Sequence, residues 1–190
     1  MKYKYTDRNI VDLLHDVGML NEDQIVKFFS NETPPNRVRA LLRKLSSEHI
    51  IGVEVDSKGN RFYFPIGYEP VNDNLKKRKM LAFWAVAGIG SQEVTSIYAG
   101  SSSLLTLSVI CNFEIVYDFI VIEQVNEIYT AARVLASYLP KNVQDVMPHI
   151  AVLYRKEQID EFRPALIECG FDGWCYIDYN NKQPIFEMFE

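Results

Sequence analysis

Apolar residues in the first third of the chain recur at helical spacing three times and then begin to alternate. Ile10, Val11, Leu13, Leu14 and Val17 form one stripe. They predict a helix from Thr6 or Asp7 to Val17, stopped by Gly18. Asn21 followed by Gln24 is a capping-box spacing, with Leu20 placed to staple against Ile25, and Ile25, Phe28 and Phe29 make the inward face of a second helix. A third helix starts near Pro34 or Pro35, since proline suits a first turn, and runs to about Glu48. The period then shortens. Ile51–Val55 and Arg61–Phe64 alternate around the turn Asp56-Ser57-Lys58-Gly59-Asn60, which predicts a hairpin closed by Pro65.

Three helices and a hairpin are the plan of a winged helix-turn-helix, here assigned to residues 1–66. Residues 67–74 hold Gly67, Pro70, Asn72 and Asn74 and are expected to be a linker. Residues 75–190 are expected to form an α/β domain. A helix over about Leu75–Ala87 is followed by strands at Glu93–Tyr98, Leu104–Cys111 and Glu114–Ile122, with Asn112 at a tight turn. A helix at Val125–Tyr138, a strand at Ile150–Tyr154 and a helix at Glu157–Cys169 follow, then strands at Trp174–Ile177 and Ile185–Phe189. That order implies a mixed sheet.

Composition narrows the class. Hydrophobic residues are 48% of the chain, enough for a packed core. The longest apolar run, Met80–Ile89, is about half a membrane span, and Lys2 and Lys4 precede no signal-peptide core. A cytoplasmic protein without a membrane segment is expected. Cys111, Cys169 and Cys175 lack Cys-x-x-Cys spacing and are expected to be buried thiols, and His15, His49 and His149 lie too far apart to suggest a metal centre. No metal, cofactor or catalytic residue is assigned.

The net charge is -5, but residues 1–65 carry ten basic and nine acidic residues, whereas residues 66–190 carry ten and sixteen. Nucleic acid, if bound, should therefore meet the first third. On the third helix Val38, Leu41, Leu42 and Leu45 point inward. The opposite arc is centred on Asn36, Ala40, Arg43 and Ser47, flanked by Arg37, Arg39 and Lys44, with no acidic residue over positions 33–47. Small residues let a helix approach base edges while arginines reach phosphate or guanine. With Lys58 and Arg61 on the hairpin, these nine residues are the expected contacts to double-stranded DNA, read by a homodimer.

The stretches "LLHDVGMLNEDQIVKFF" and "RVRALLRKLSSEHII", with a hairpin ending "RFYF", resemble uncharacterised Firmicutes winged-helix proteins of mobile elements. They are also similar to the N-terminal part of plasmid replication-relaxation proteins. The resemblance implies a DNA-linked setting more than an activity; the expected role is a bacterial transcriptional regulator or an accessory factor of mobile-element replication or transfer.

The order helix, three strands, helix, strand is distantly like the restriction-endonuclease-like core. Such nucleases need an acid on the second strand and Glu-x-Lys on the third to hold a divalent metal. Here the second strand has no carboxylate, and Glu114, Asp118 and Glu123 have no lysine near them; Glu93 is the one acid on the first strand. A phosphate nest at Gly100–Ser103 and a Cys169–His149 pair are weaker ideas, the latter with no orienting group in view. Three readings follow: a DNA-binding protein, a non-enzymatic interaction or structural protein on a winged-helix scaffold, and an atypical metal-dependent nuclease. The strand "IVYDFIVI" is a candidate pairing surface for a dimer. Lys76, Lys77, Arg78 and Lys79 open a helix, where cations oppose the macrodipole, and they call for a solvated edge or an acidic or phosphate partner.

Overall fold

Helix α1 (Asp7–Val17) is the first element of the computed structural model, which describes residues 6–69, 73–100, 106–112, 115–138, 147–178 and 180–189. Thr6 caps it by accepting the Asn9 N–H, and Gly18 ends it at φ 104°, a conformation that favours glycine. A two-residue strand β1 (Leu20–Asn21) leads into α2 (Glu22–Phe28). Both arms of the capping box are made: the Asn21 side chain accepts the Gln24 N–H, and the Gln24 side chain accepts the Asn21 N–H. Then come α3 (Pro35–Ser47), β2 (Ile51–Val55) and β3 (Arg61–Pro65), in an antiparallel sheet ordered β1-β3-β2.

Helix α4 (Asp73–Ile89) has no apolar stripe, because it is buried nearly all round. Every residue from Leu81 to Ala87 is buried. One side meets α2, where Phe28 and Phe83 have ring centroids 5.5 Å apart, and the other lies on a six-stranded sheet. This explains the long apolar run: it is the middle layer of the molecule. Ser91, just past α4, also fastens the two parts, its N–H donating to the Phe28 carbonyl and its hydroxyl to Glu32.

The sheet is β4 (Val94–Ala99), β5 (Leu107–Cys111), β6 (Ile115–Ile122), β7 (His149–Leu153), β8 (Gly173–Asp178) and β9 (Gln183–Met188), in that spatial order. It is mixed: β6, β7 and β8 run parallel and the other pairs antiparallel. Helices α5 (Val125–Tyr138) and α6 (Gln158–Glu168) supply the crossovers and cover the face opposite α4. The central strands therefore feed two cores at once. Phe119, Val121, Ile150 and Val152 face α4, in one cluster with the residues of α1, α2 and α3. Ile120, Ile122, Ala151 and Leu153 face α5 and α6. The architecture is α+β: an N-terminal helical region followed by a mixed sheet. No helix among the described residues is long and apolar enough to cross a membrane.

One strand is added to the expected elements, one expectation is corrected and one of the offered alternatives is met. The short β1 was not foreseen. The strand "IVYDFIVI" is β6, paired on both sides by β5 and β7, so it offers no free edge for a dimer. The basic run of α4 has an internal acidic partner: Arg78 is buried and forks onto both Glu127 oxygens, at 2.8 and 2.7 Å. The contact of α4 with β9 also has a tight point. A methyl group at Gly88 would overlap Cγ of Pro184, and a proline ring cannot turn away. Gly88→Ala is thus expected to destabilise the protein by about 1–3 kcal/mol despite its better helix propensity, as a thermal melt would show.

Candidate nucleic-acid interface

The elements around α3 hold its inward residues firmly. Val38, Leu42 and Leu45 are buried, with Leu41 packed against the same core. Asn36, Ala40, Arg43 and Ser47 are all exposed, as are Arg37 and Lys44. The arc expected to face a ligand does face solvent. Ser47 turns its hydroxyl back to the Lys44 carbonyl at 2.8 Å.

The hairpin turn is pre-shaped by Asp56. One of its oxygens accepts the N–H groups of Lys58 and Asn60, and the other the Asn60 side-chain amide, each at 2.8 Å. These bonds, that of the Asn60 side chain foremost, hold the Asp56 carboxyl below its ordinary range. Gly59 completes the turn at φ 84°. The turn stands beside α3, for Arg43, Gly59, Asn60 and Arg61 line one polar recess of about 300 Å³ together with Asn21, Glu22 and Asp23. Lys58 is exposed on the turn.

Acidic side chains occupy part of this surface, which the spacing within α3 could not show. Arg39 is about a third exposed and pairs with Glu22 at 3.0 Å and Asp23 at 3.4 Å, both in the first turn of α2. Glu22 also lies 3.9 Å from Arg61 and accepts the Tyr63 hydroxyl at 3.2 Å. Burial first, then the Glu22 carboxylate, pushes the Tyr63 phenol up, so it stays a donor. Lys182, from the β8–β9 turn, reaches Asp23, and Lys44 pairs with Asp7 at 3.4 Å. The structure thus brings Arg43 and Arg61 together with Arg39 but ties Arg39 to carboxylates. Among the described residues, the Arg43 side chain makes no ion pair or hydrogen bond.

A second polar cluster lies on the α5–α6 side of the sheet. Ser108, Asp118 and His149 sit at one level on β5, β6 and β7. The Ser108 hydroxyl donates to one Asp118 oxygen, and His149 Nδ1 stands 3.2 Å from the other. His149 also donates its backbone N–H to Asp172. Asp118 thus stands beside His149, but the buried His149 Nδ1 makes no hydrogen bond to it. The signal was latent in register: Asp118 and His149 each directly precede a run that alternates between the two cores. Among the described residues no cluster of three His, Cys, Asp or Glu suits a metal.

Cys111 and Cys175 are buried, and burial pushes the Cys175 thiol up and the Cys111 thiol up to about 11, with Glu93 adding to the latter. Cys169 is half-buried beside Tyr129, Arg133 and Glu168 in a groove between α5 and α6, apart from the His149 cluster. Glu114 and residues 101–103 of the suggested nest lie outside the described residues. The chain matches no protein-family model and no curated protein.

Proposed function

We propose that the protein binds double-stranded DNA, with α3 entering the major groove and the β2–β3 turn against the backbone, in the manner of a winged helix-turn-helix. The element order α1-β1-α2-α3-β2-β3 and the sheet order β1-β3-β2 support that reading. The observation that carries it is the solvent-facing arc Asn36, Ala40, Arg43 and Ser47, which adjoins Asn60 and Arg61 of the hairpin across a recess that Glu22 and Asp23 also line. The six-stranded sheet serves as a non-catalytic assembly or sensing module. A cytoplasmic regulator or accessory factor of mobile-element replication or transfer is the role that goes with the resemblance of its N-terminal third.

The test is a titration of random duplex DNA by fluorescence anisotropy at about 50 and about 200 mM salt. Four phosphate contacts would lower affinity about 10²-fold between these conditions. Absence of binding at the lower salt favours the interaction-protein reading instead. Magnesium- or manganese-dependent cleavage, lost in Asp118→Asn, would replace both with the nuclease reading.

A further inference from the structure

Strand β9 ends the six-stranded sheet, and its outer edge is unpaired among the described residues. The Phe189 N–H donates to the Asp172 carbonyl of the preceding strand region, at 2.8 Å. In an antiparallel ladder the bonding direction alternates, so Glu187, Ile185 and Gln183 turn their backbone groups towards β8, and Met188, Phe186 and Pro184 turn theirs outward. Proline therefore stands where its missing N–H costs the sheet no bond. Natural edges are usually blunted by charge or cover, yet Ile185, Phe186 and Met188 are 41%, 42% and 53% exposed here. Phe186 and Met188 also border an open apolar groove of about 340 Å³ beneath the end of α4, shared with Ile115, Tyr117 and Phe119.

We infer that β9 pairs antiparallel with β9 of a second copy of the chain, about a two-fold axis at Phe186, joining two six-stranded sheets into one. The occupant follows from self-complementarity. In this register Phe186 exchanges two backbone hydrogen bonds with its own copy, and each Met188 N–H donates to the Pro184 carbonyl opposite. Four bonds form, and the donor that Pro184 lacks is needed only by the terminal Met188 carbonyl. Phe186 stacks on its symmetry mate over the apolar groove, Met188 covers Pro184, and Glu187 faces Ile185. Shifting the axis to Glu187 also permits four bonds but sets two carboxylates directly opposite each other, which is unfavourable. The axis at Phe186 keeps the charges apart, and the shape is isologous, as a two-fold dimer requires. This inference needs no DNA and stands apart from the DNA-binding proposal.

The test is sedimentation equilibrium of the full chain without nucleic acid. The expected result is twice the chain mass, falling to single-chain mass on dilution. Met188→Pro removes an outward N–H and no bond to β8, so it should stay folded, as a thermal melt checks, and sediment as a single chain. A parent that stays single at every concentration, or a dimer that persists unchanged in Met188→Pro, overturns the proposal. Cysteine cross-linking gives a readout that does not depend on the proline variant folding. In this register Phe186→Cys places two thiols on residues about 5.5 Å apart at Cα, within disulfide reach. Ile185→Cys places them about 8 Å apart, beyond it. Mild oxidation should yield a covalent dimer from Phe186→Cys alone; equal cross-linking of both variants, or of neither, overturns the register.

Discussion

Arg78→Met is expected to destabilise the protein by about 3–5 kcal/mol, because it leaves a largely buried carboxylate without its cation. Arg78 is 2% exposed, donates to both oxygens of Glu127, and gives a further bond to the Val121 carbonyl at 2.6 Å. Glu127 in turn accepts the Glu123 and Gln124 N–H groups at the start of α5. One pair thus fastens α4, the end of β6 and the first turn of α5. For a chain of this size the loss corresponds to a melting temperature lower by about 10 °C. Removing both charges, in Arg78→Met with Glu127→Gln, should recover much of the loss, since the buried unpaired ion is gone. A single variant that melts within about 1 kcal/mol of the parent would sink this account. The pair also sets a pH dependence. Burial acts to raise the Glu127 carboxyl, but the Arg78 hydrogen bonds outweigh it and hold the group below its ordinary range. A depressed carboxyl contributes stability above its unfolded pKa and loses it as pH falls through the folded one. The parent should therefore shed this stability only in acid, and Arg78→Met should lack that component of the acid melt.

Local chemistry made most elements legible. Thr6, Gly18, Asn21 and Gln24 act within one turn of where they stand, so the ends of α1 and α2 could be read from spacing alone. The alternation in β6 and β7 was equally plain, although both faces are buried. Strand β1 escaped because two residues carry no period, and only their pairing with Phe62 and Tyr63 defines them. Helix α4 gave a length but no face, being enclosed by α2 and the sheet. Long-range pairing hid the rest. Glu127 is 49 residues from Arg78, and Arg39 is 16 and 17 residues from its carboxylates, separations at which spacing says nothing about contact. The outward arc of α3 was readable because it depends on helical geometry; the neutralisation of Arg39 was not, because it depends on how α2 packs across α3. The same holds for the sheet's edges, which fall on β4 and β9 rather than on the most apolar strand.

That packing gives Arg39 and Arg43 at the proposed interface different roles, and their variants should separate. Arg43→Ala is expected to weaken duplex binding by about 1–3 kcal/mol and to reduce the salt slope by about one, as for a side chain that touches DNA directly. Arg39→Ala removes a charge already shared between Glu22 and Asp23. Its effect acts through the field alone, leaves the slope near the parent's, and fades as salt rises. Glu22→Gln should do the reverse: it releases Arg39 and Arg61 from the carboxylate they share, and binding should tighten and become more salt-dependent. The check is a set of affinities at several salt concentrations for the parent and these three variants, with melting curves to confirm folding. The contrast is diagnostic because Arg43→Ala and Arg39→Ala change the net charge equally, so non-specific attraction predicts the same loss for both. A parent-like slope in Arg43→Ala, or weaker binding in Glu22→Gln, would remove α3 and the β2–β3 turn as the DNA-facing surface.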